Sequence, residues 1–320
     1  MRAAFILLIV LTGLAALAQN TTTVYTYDLN GQLVPSGQEV AAKSDGTTTQ
    51  TERTRSINGR IVPLERVEEK VLSSAPEHKV IERIVRKYDA NGEPGPPEKV
   101  LIDEETKPGG TTTTKTAVYR GDINGELHLA QRTTTESHKQ GDTVNTESVI
   151  ERPALNGDLA PVEKHQAIEQ LRPDGMHQSV EIYRKDENGD FYQALRKVTD
   201  QEKKNGTVTE NTAVYEPGAT GQMQLSSQTV EKTTKEANGS EHVEIDIFGR
   251  NVPGTVQDPN AKPELKERQL IDRRPGSGNT VVETLSVRRP TISDPATLGA
   301  VRKLSETVCK GKCGDSGAQP

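Results

Sequence analysis

The 320-residue chain has no tryptophan, 3% aromatic residues, two cysteines and six histidines. Each shortage excludes something. Two cysteines cannot staple a chain of this length. Because they are Cys309 and Cys313, close together near the C-terminus, they are expected to form a small local disulfide in an oxidising compartment, with a disulfide between molecules as the alternative. A metal site there would need further Cys or His nearby, and the sequence supplies none. His78, His128, His138, His165, His177 and His242 are dispersed without ligand spacing. There is no Gly-x-Ser-x-Gly elbow, phosphate loop or His-Glu-x-x-His pattern. With 32% hydrophobic and 27% charged residues, the chain is poor material for one large core. A formal net charge of -6 argues against general nucleic-acid binding. No enzymatic activity, cofactor, metal or nucleic-acid partner is expected.

Long apolar runs are also missing after the first few residues. Met1-Arg2 leads into Ala3 to Leu11, and the segment closes on Ala16-Leu17-Ala18. That is the order of a secretory signal peptide, assigned to residues 1–18, with Gln19 as the first mature residue. The run is shorter than the roughly 20 residues of a spanning helix. No cysteine follows the cleavage point, so lipid attachment there is not expected. The mature chain should be secreted or periplasmic, soluble and without a membrane span.

What the chain has in quantity is turns. Glycines at Asn30-Gly31, Asn58-Gly59, Asn91-Gly92, Asn124-Gly125, Asn156-Gly157 and Asn188-Gly189 recur, followed by Gly221, at intervals of 28, 33, 33, 32, 32 and 32 residues. Asn-Gly is a strong hairpin signal because both residues tolerate the positive φ of a type I′ turn. Thr116-Ala117-Val118-Tyr119 returns as Thr212-Ala213-Val214-Tyr215, three units of 32 later. A second turn series lies between the first: Asp45-Gly46, Ala75-Pro76, Gly109-Gly110, Gly141-Asp142, Asp174-Gly175, Asn205-Gly206 and Asn238-Gly239. Each unit therefore reads strand, turn, strand, turn.

Thr111 to Tyr119 and Val208 to Tyr215 are Thr-rich and β-branched, as strands should be. Glu77 to Tyr88 is ambiguous, because Val80, Ile81, Ile84, Val85 and Tyr88 fall on one helical face; its place ahead of Asn91-Gly92 makes strand the expectation. Gln166 to Arg172 shares that ambiguity. The predicted class is all-β: an elongated antiparallel meander of tandem hairpins with units of about 32 residues, stacked as repeat proteins are. Repeats occupy 19–257, a terminal hairpin that caps the array 258–289, and a polar tail with the cysteine pair 290–320, with a short helix from Pro295 to Val308.

Charged pairs follow the turns at a fixed offset: Glu65-Arg66, Glu98-Lys99, Gln131-Arg132 and Glu163-Lys164. Neighbouring strand residues face opposite sides, so each pair should place an acidic or amide group on one face and a base on the other. Two short motifs were weighed as sites. Asp186-Glu187-Asn188-Gly189-Asp190 starts like a calcium loop, but Phe191 and Lys197 stand where an EF-hand needs Gly and Glu. Arg120-Gly121-Asp122 spells an adhesion tripeptide, yet the equivalent unit has Arg184-Lys185-Asp186.

Val24-Tyr25-Thr26-Tyr27-Asp28-Leu29-Asn30-Gly31-Gln32-Leu33 resembles a Tyr-Asp repeat of the RHS type, and Tyr88-Asp89-Ala90-Asn91-Gly92 is similar to its centre. The resemblance implies secreted β-repeat architecture. The expected function is an exported, non-enzymatic protein with a structural, adhesive or envelope-associated role, partnered by envelope components or by itself. The alternative is an extracellular module binding a glycan or peptide along the sheet, which an exposed row of Tyr119, Tyr183 and Tyr215 would favour.

Overall fold

A computed structural model describes residues 20–27, 33–44, 47–57, 60–122, 124–218, 220–249, 263–278, 280–291 and 297–310. They form eighteen strands: β1 (Asn20–Tyr27), β2 (Leu33–Ser44), β3 (Thr48–Ile57), β4 (Arg60–Ala75), β5 (His78–Lys87), β6 (Glu98–Lys107), β7 (Thr111–Gly121), β8 (Leu127–Gln140) and β9 (Thr143–Pro153) in the first half. The second half holds β10 (Leu159–Arg172), β11 (Gly175–Lys185), β12 (Phe191–Lys204), β13 (Thr207–Pro217), β14 (Met223–Lys235), β15 (Glu241–Gly249), β16 (Glu264–Pro275), β17 (Thr280–Arg288) and β18 (Arg302–Lys310). Every strand pairs antiparallel with its sequence neighbour. The all-β meander is as expected; its shape is not. β1 pairs with β2 and also with β18, from Thr22↔Cys309 to Thr26↔Ser305, so the ring of pairings closes and no strand is left as an edge.

Closure overturns three expectations. The array is not elongated. The hairpin β16–β17 caps nothing, because β15 and β18 flank it. The tail is not helical from Pro295 to Val308: residues 302–310 are β18, whose backbone groups pair with both β17 and β1, and those two ladders outweigh local helix preference. The same competition settles β5. Its apolar residues suit a helical face, but Ile81 is buried between Val71 and Ile102 on the neighbouring strands. The signal segment, Asn30-Gly31, Asp45-Gly46, Asn58-Gly59 and Cys313 lie outside the described residues, so the expected disulfide with Cys309 does too.

The turns are of two kinds, and the five-residue kind occurs at both ends of the ring, since Glu236–Ser240 joins β14 to β15 at the end that holds Asn205-Gly206. At one end Asn205 and Gly206 have φ of 51° and 78°, the two left-handed residues of a type I′ connection. At the other end the Asn-Gly sites are not type I′. Gly92, Gly125, Gly157 and Gly189 have φ of 85°, 83°, 85° and 89°, while the asparagines before them do not enter the left-handed region. These are five-residue loops, three of them held by an aspartate at the first position; the Gly157 loop has Ala154 there, and Asn156 Oδ1 accepts from the Asp158 amide at 3.2 Å instead. Asp122 Oδ1 accepts from the amides of Asn124 (2.8 Å) and Glu126 (2.9 Å), and Asp89 and Asp186 do the same in their loops.

Those amides hold the Asp89 and Asp122 carboxyls below the usual carboxylate range, the Glu93 and Glu126 amides being the largest causes. A carboxylate with a depressed folded-state pKa stabilises its loop above the ordinary carboxylate pKa, and that contribution is lost as pH falls through the depressed value. The Glu93 and Glu126 amide proton resonances should therefore shift in acid below the range where free aspartate titrates. Asp89→Ala should abolish the Glu93 shift and leave that of Glu126. Titration of both amides together with free aspartate would refute this.

One irregularity recurs. On β4, β8, β10, β12, β14 and β16 a single extra residue enters the ladder just after the loop: Leu64, Ala130, Val162, Ala194, Ser226 and Lys266. Such bulges bend a strand and increase its twist. Repeated on alternate strands at one level, they supply the curvature that closure needs.

Candidate functional site

Pairing register divides the side chains into two faces. One carries Val62, Ile81, Val180, Ile182, Thr199, Val243, Ile245, Val287 and Thr307, all buried; among the described residues only Thr113 and Ser286 are buried on the other. Along β10 the alternation is complete: Glu163, His165, Ala167 and Glu169 are half-buried, and Lys164, Gln166, Ile168 and Gln170 are exposed. Curvature crowds side chains on the concave side and spreads them on the convex side. The buried face therefore lines the interior.

The interior is polar despite its buried valines and isoleucines. Arg184 Nε reaches Glu163 Oε2 at 2.8 Å, and His165 Nε2 lies 2.6 Å from the other oxygen of that carboxylate. Arg273 joins Glu241 to Glu283 across three strands, its Nε 2.7 Å from Glu283. Arg83 clamps Glu69 at 2.9 and 2.6 Å. Hydroxyls form a further strip, with Thr135 2.8 Å from Ser148 and Ser137 3.0 Å from Thr146. The expected charged pairs do split across the wall: Glu65, Glu98, Gln131 and Glu163 face inward, and Arg66, Lys99, Arg132 and Lys164 outward.

The outer face changes along its height. At the bulge level Tyr119 stands beside Leu129, Tyr215 beside Leu225, Phe248 beside Leu265 and Tyr183 beside Gln193, each pair at the same place in the register. This is an aromatic and leucine collar near the five-residue loops, broken at Thr54 beside Pro63, at Glu151, which pairs with Arg132, and at Lys303. Away from the collar the outer wall is ionic. Arg268 grips Asp246 through two bonds of 2.6 and 2.7 Å, Lys99 pairs with Glu82, and His177 and His242 meet Asp200 and Asp272 at 2.7 and 2.6 Å.

The sequence motifs find other uses here. Arg120 is paired with Glu98 at 3.0 Å, Gly121 donates to the carbonyl of Pro97 at 2.9 Å, and Asp122 holds its own loop, so the tripeptide is built into the hairpin. Asp186 likewise uses one carboxylate oxygen to close its turn. Asp122, Glu126 and His128 bring three ligand-type atoms within 4.8 Å of one another. Tyr119, Tyr183 and Tyr215 share a face, but they are half-buried and stand on separate strands in a collar, not as the exposed row that the binding alternative required. Their spacing of 32 and 64 residues was the readable signal for the collar; the bulges that set its level left no such mark.

No family model matches the sequence, and no curated protein is detectably related to it. Solved structures do resemble the fold. A mutant of the Rh. blastica porin is similar with a TM-score of 0.52 at 6% identity, over 92% of this chain and 99% of that one. Salmonella typhi OmpF, solved in complex with daunomycin, is similar with a TM-score of 0.50 at 8% identity, over 92% and 97% of the two chains. The expectation of a soluble, exported repeat protein with a structural, adhesive or sheet-binding role is corrected by this finding, since the chain has the architecture of outer-membrane β-barrels. The apolarity count that argued against a membrane span tests only for helices. The described residues contain no helix long and apolar enough to cross a membrane, which says nothing of strands.

Proposed function

We propose that this chain is a porin-type barrel of the cell envelope that encloses a water-filled passage for ions and small polar solutes and touches the outer membrane through its aromatic collar. The observation that carries the reading is the closed ring of eighteen strands. Side chains can fill a barrel of about eight strands, whereas about 16–18 leave an aqueous channel. The polar interior suits water, and no chemistry on the substrate is required of it. The described strands are 8 to 16 residues long, against the roughly 9–11 residues with which a tilted strand crosses a bilayer.

The collar supports a membrane contact at its level. Tyrosine and phenylalanine girdles mark the interface on transmembrane barrels. The ion-paired wall below belongs in a polar layer, because an Arg or Lys facing lipid at mid-bilayer costs about 2–4 kcal/mol. Two-strand units of about 32 residues would then be the building block of the ring, each bringing one loop and one bulge.

Planar-bilayer recording and vesicle flotation test the proposal together. Purified full-length protein should float with liposomes and give stepwise ohmic conductance. The triple variant Tyr119→Ser/Tyr215→Ser/Phe248→Ser should keep its strand spectrum and lose flotation. Absence of both conductance and flotation from folded protein would overturn the proposal.

A further inference from the structure

The outer wall has a stretch where carboxylates follow one another across the strands without a base between them. Register places His78 on β5, Glu105 on β6, Thr113 on β7, Glu136 on β8 and Glu147 on β9 in a single row across the strands. Three of the five are carboxylates, and no lysine or arginine stands among them. Like charges directly opposite each other destabilise an antiparallel pair, and Glu136 is directly opposite Glu147. Elsewhere on this face carboxylates meet bases, as Glu82 meets Lys99 and Glu151 meets Arg132. The carboxylates of Glu105, Glu136 and Glu147 make no hydrogen bond or ion pair with any described residue.

In the middle of the row lies a second oddity. Thr113 is 7% exposed, and its hydroxyl is buried without a hydrogen-bond partner. A buried hydroxyl normally finds one. Its neighbours across the ladder are Glu105 on one side and Glu136 on the other, so the orphaned hydroxyl belongs to the residue between the two glutamates on their own face of the sheet. Beside them a recess at the strand ends is lined by Glu77, His78, Asp103 and Glu105, with Lys107 at its rim. The nearest bases on the face are Lys115, two residues along β7, and Lys107, opposite Thr111. Neither is in the row, and Asp103 is already bonded to His78 at 2.8 Å.

We propose that Glu105, Thr113 and Glu136 form a calcium site on the outer wall, with Glu147 adding charge from the neighbouring strand. The donors are all oxygen, which suits a hard cation, and carboxylates from two strands with a hydroxyl between them suit the flexible coordination of Ca²⁺. The carboxylates do not stand within one ligand sphere. They are exposed at the ends of free side chains and close over Thr113 when the ion supplies the missing positive charge. The site is independent of the passage, being on the opposite face of the wall and away from the collar.

Isothermal titration of the full-length protein with calcium chloride alone tests this. The wild type should bind one ion with an affinity that falls about tenfold or more in Glu136→Gln and in Glu105→Gln, as ligand charge is removed. Thr113→Val is the sharper variant. It removes an unsatisfied group and so should raise thermal stability without calcium, yet weaken calcium binding several-fold; equal affinity of Thr113→Val and wild type would overturn the site. Glu126→Gln, at the Asp122 loop, should leave binding unchanged. Loss of binding in that variant, or no binding by the wild type, would also refute the proposal.

Discussion

Val180→Asp is expected to destabilise the folded chain by about 4 kcal/mol or more, among the largest single-residue effects in this wall. Val180 is 1% exposed on the interior face of β11, between Ala167 on β10 and Lys197 on β12. The substitution replaces apolar area with a carboxyl whose loss of hydration the Lys197 ammonium opposite offsets only in part. Ile168→Asp is the matched control. Ile168 is on the outer face of β10 and 51% exposed, so the same change there should stay within about 0.5 kcal/mol. Urea denaturation followed by far-UV circular dichroism measures both. Equal losses would mean that the two faces are not inside and outside as described.

The second large effect comes from a glycine that is not in the left-handed region. A Cβ on Gly175 would lie 1.8 Å from the carbonyl oxygen of Gln201 and 2.7 Å from its carbon. Both are backbone atoms of the neighbouring strand, so no side chain can swing away to make room. Gly175→Ala should therefore force β11 and β12 apart at their shared end and cost about 3 kcal/mol, the upper range for overpacking. Gly249→Ala is the comparison, since its added methyl would meet only the Lys266 side chain at 3.5 Å, and its midpoint should match the wild type. A Gly175→Ala protein as stable as wild type would show that the β11–β12 register is wrong.

Strands and turns were legible because they are local. Thr111 to Thr114 prefer extended backbone, and each glycine of the Asn-Gly series announces a chain reversal. The type of reversal was not legible from Asn-Gly alone. Asp122, two residues before Asn124, offers its carboxylate to two amides and selects a five-residue loop instead of a type I′ turn. The split of Glu163 and Lys164 to opposite faces followed from strand period alone, whereas which face is concave depends on closure.

Closure itself rests on Thr22 meeting Cys309, and neither residue carries any sign of the other. An extra residue such as Ala130 is equally silent, since it becomes a bulge only against Val118 and Tyr119. The membrane reading failed for a related reason. Strands distribute apolar groups over alternate positions of many segments, so Tyr119, Tyr215 and Phe248 never form a run. Thr113 reads in sequence as one more strand threonine, and only the register shows it flanked by Glu105 and Glu136.

The β1–β18 seam also sets the order in which the molecule can be made. Every other ladder joins neighbours in sequence and can zip within microseconds of its hairpin being available. The seam joins opposite ends of the chain, so its loop-closure entropy is met last and the rate of the final step is set by that search. A nascent chain that has not yet released β18 has its other hairpins but two raw edges, each a template for pairing with another molecule. The ring is thus a fold with a long vulnerable period during synthesis, and its last strand is the one a holding chaperone would have to wait for.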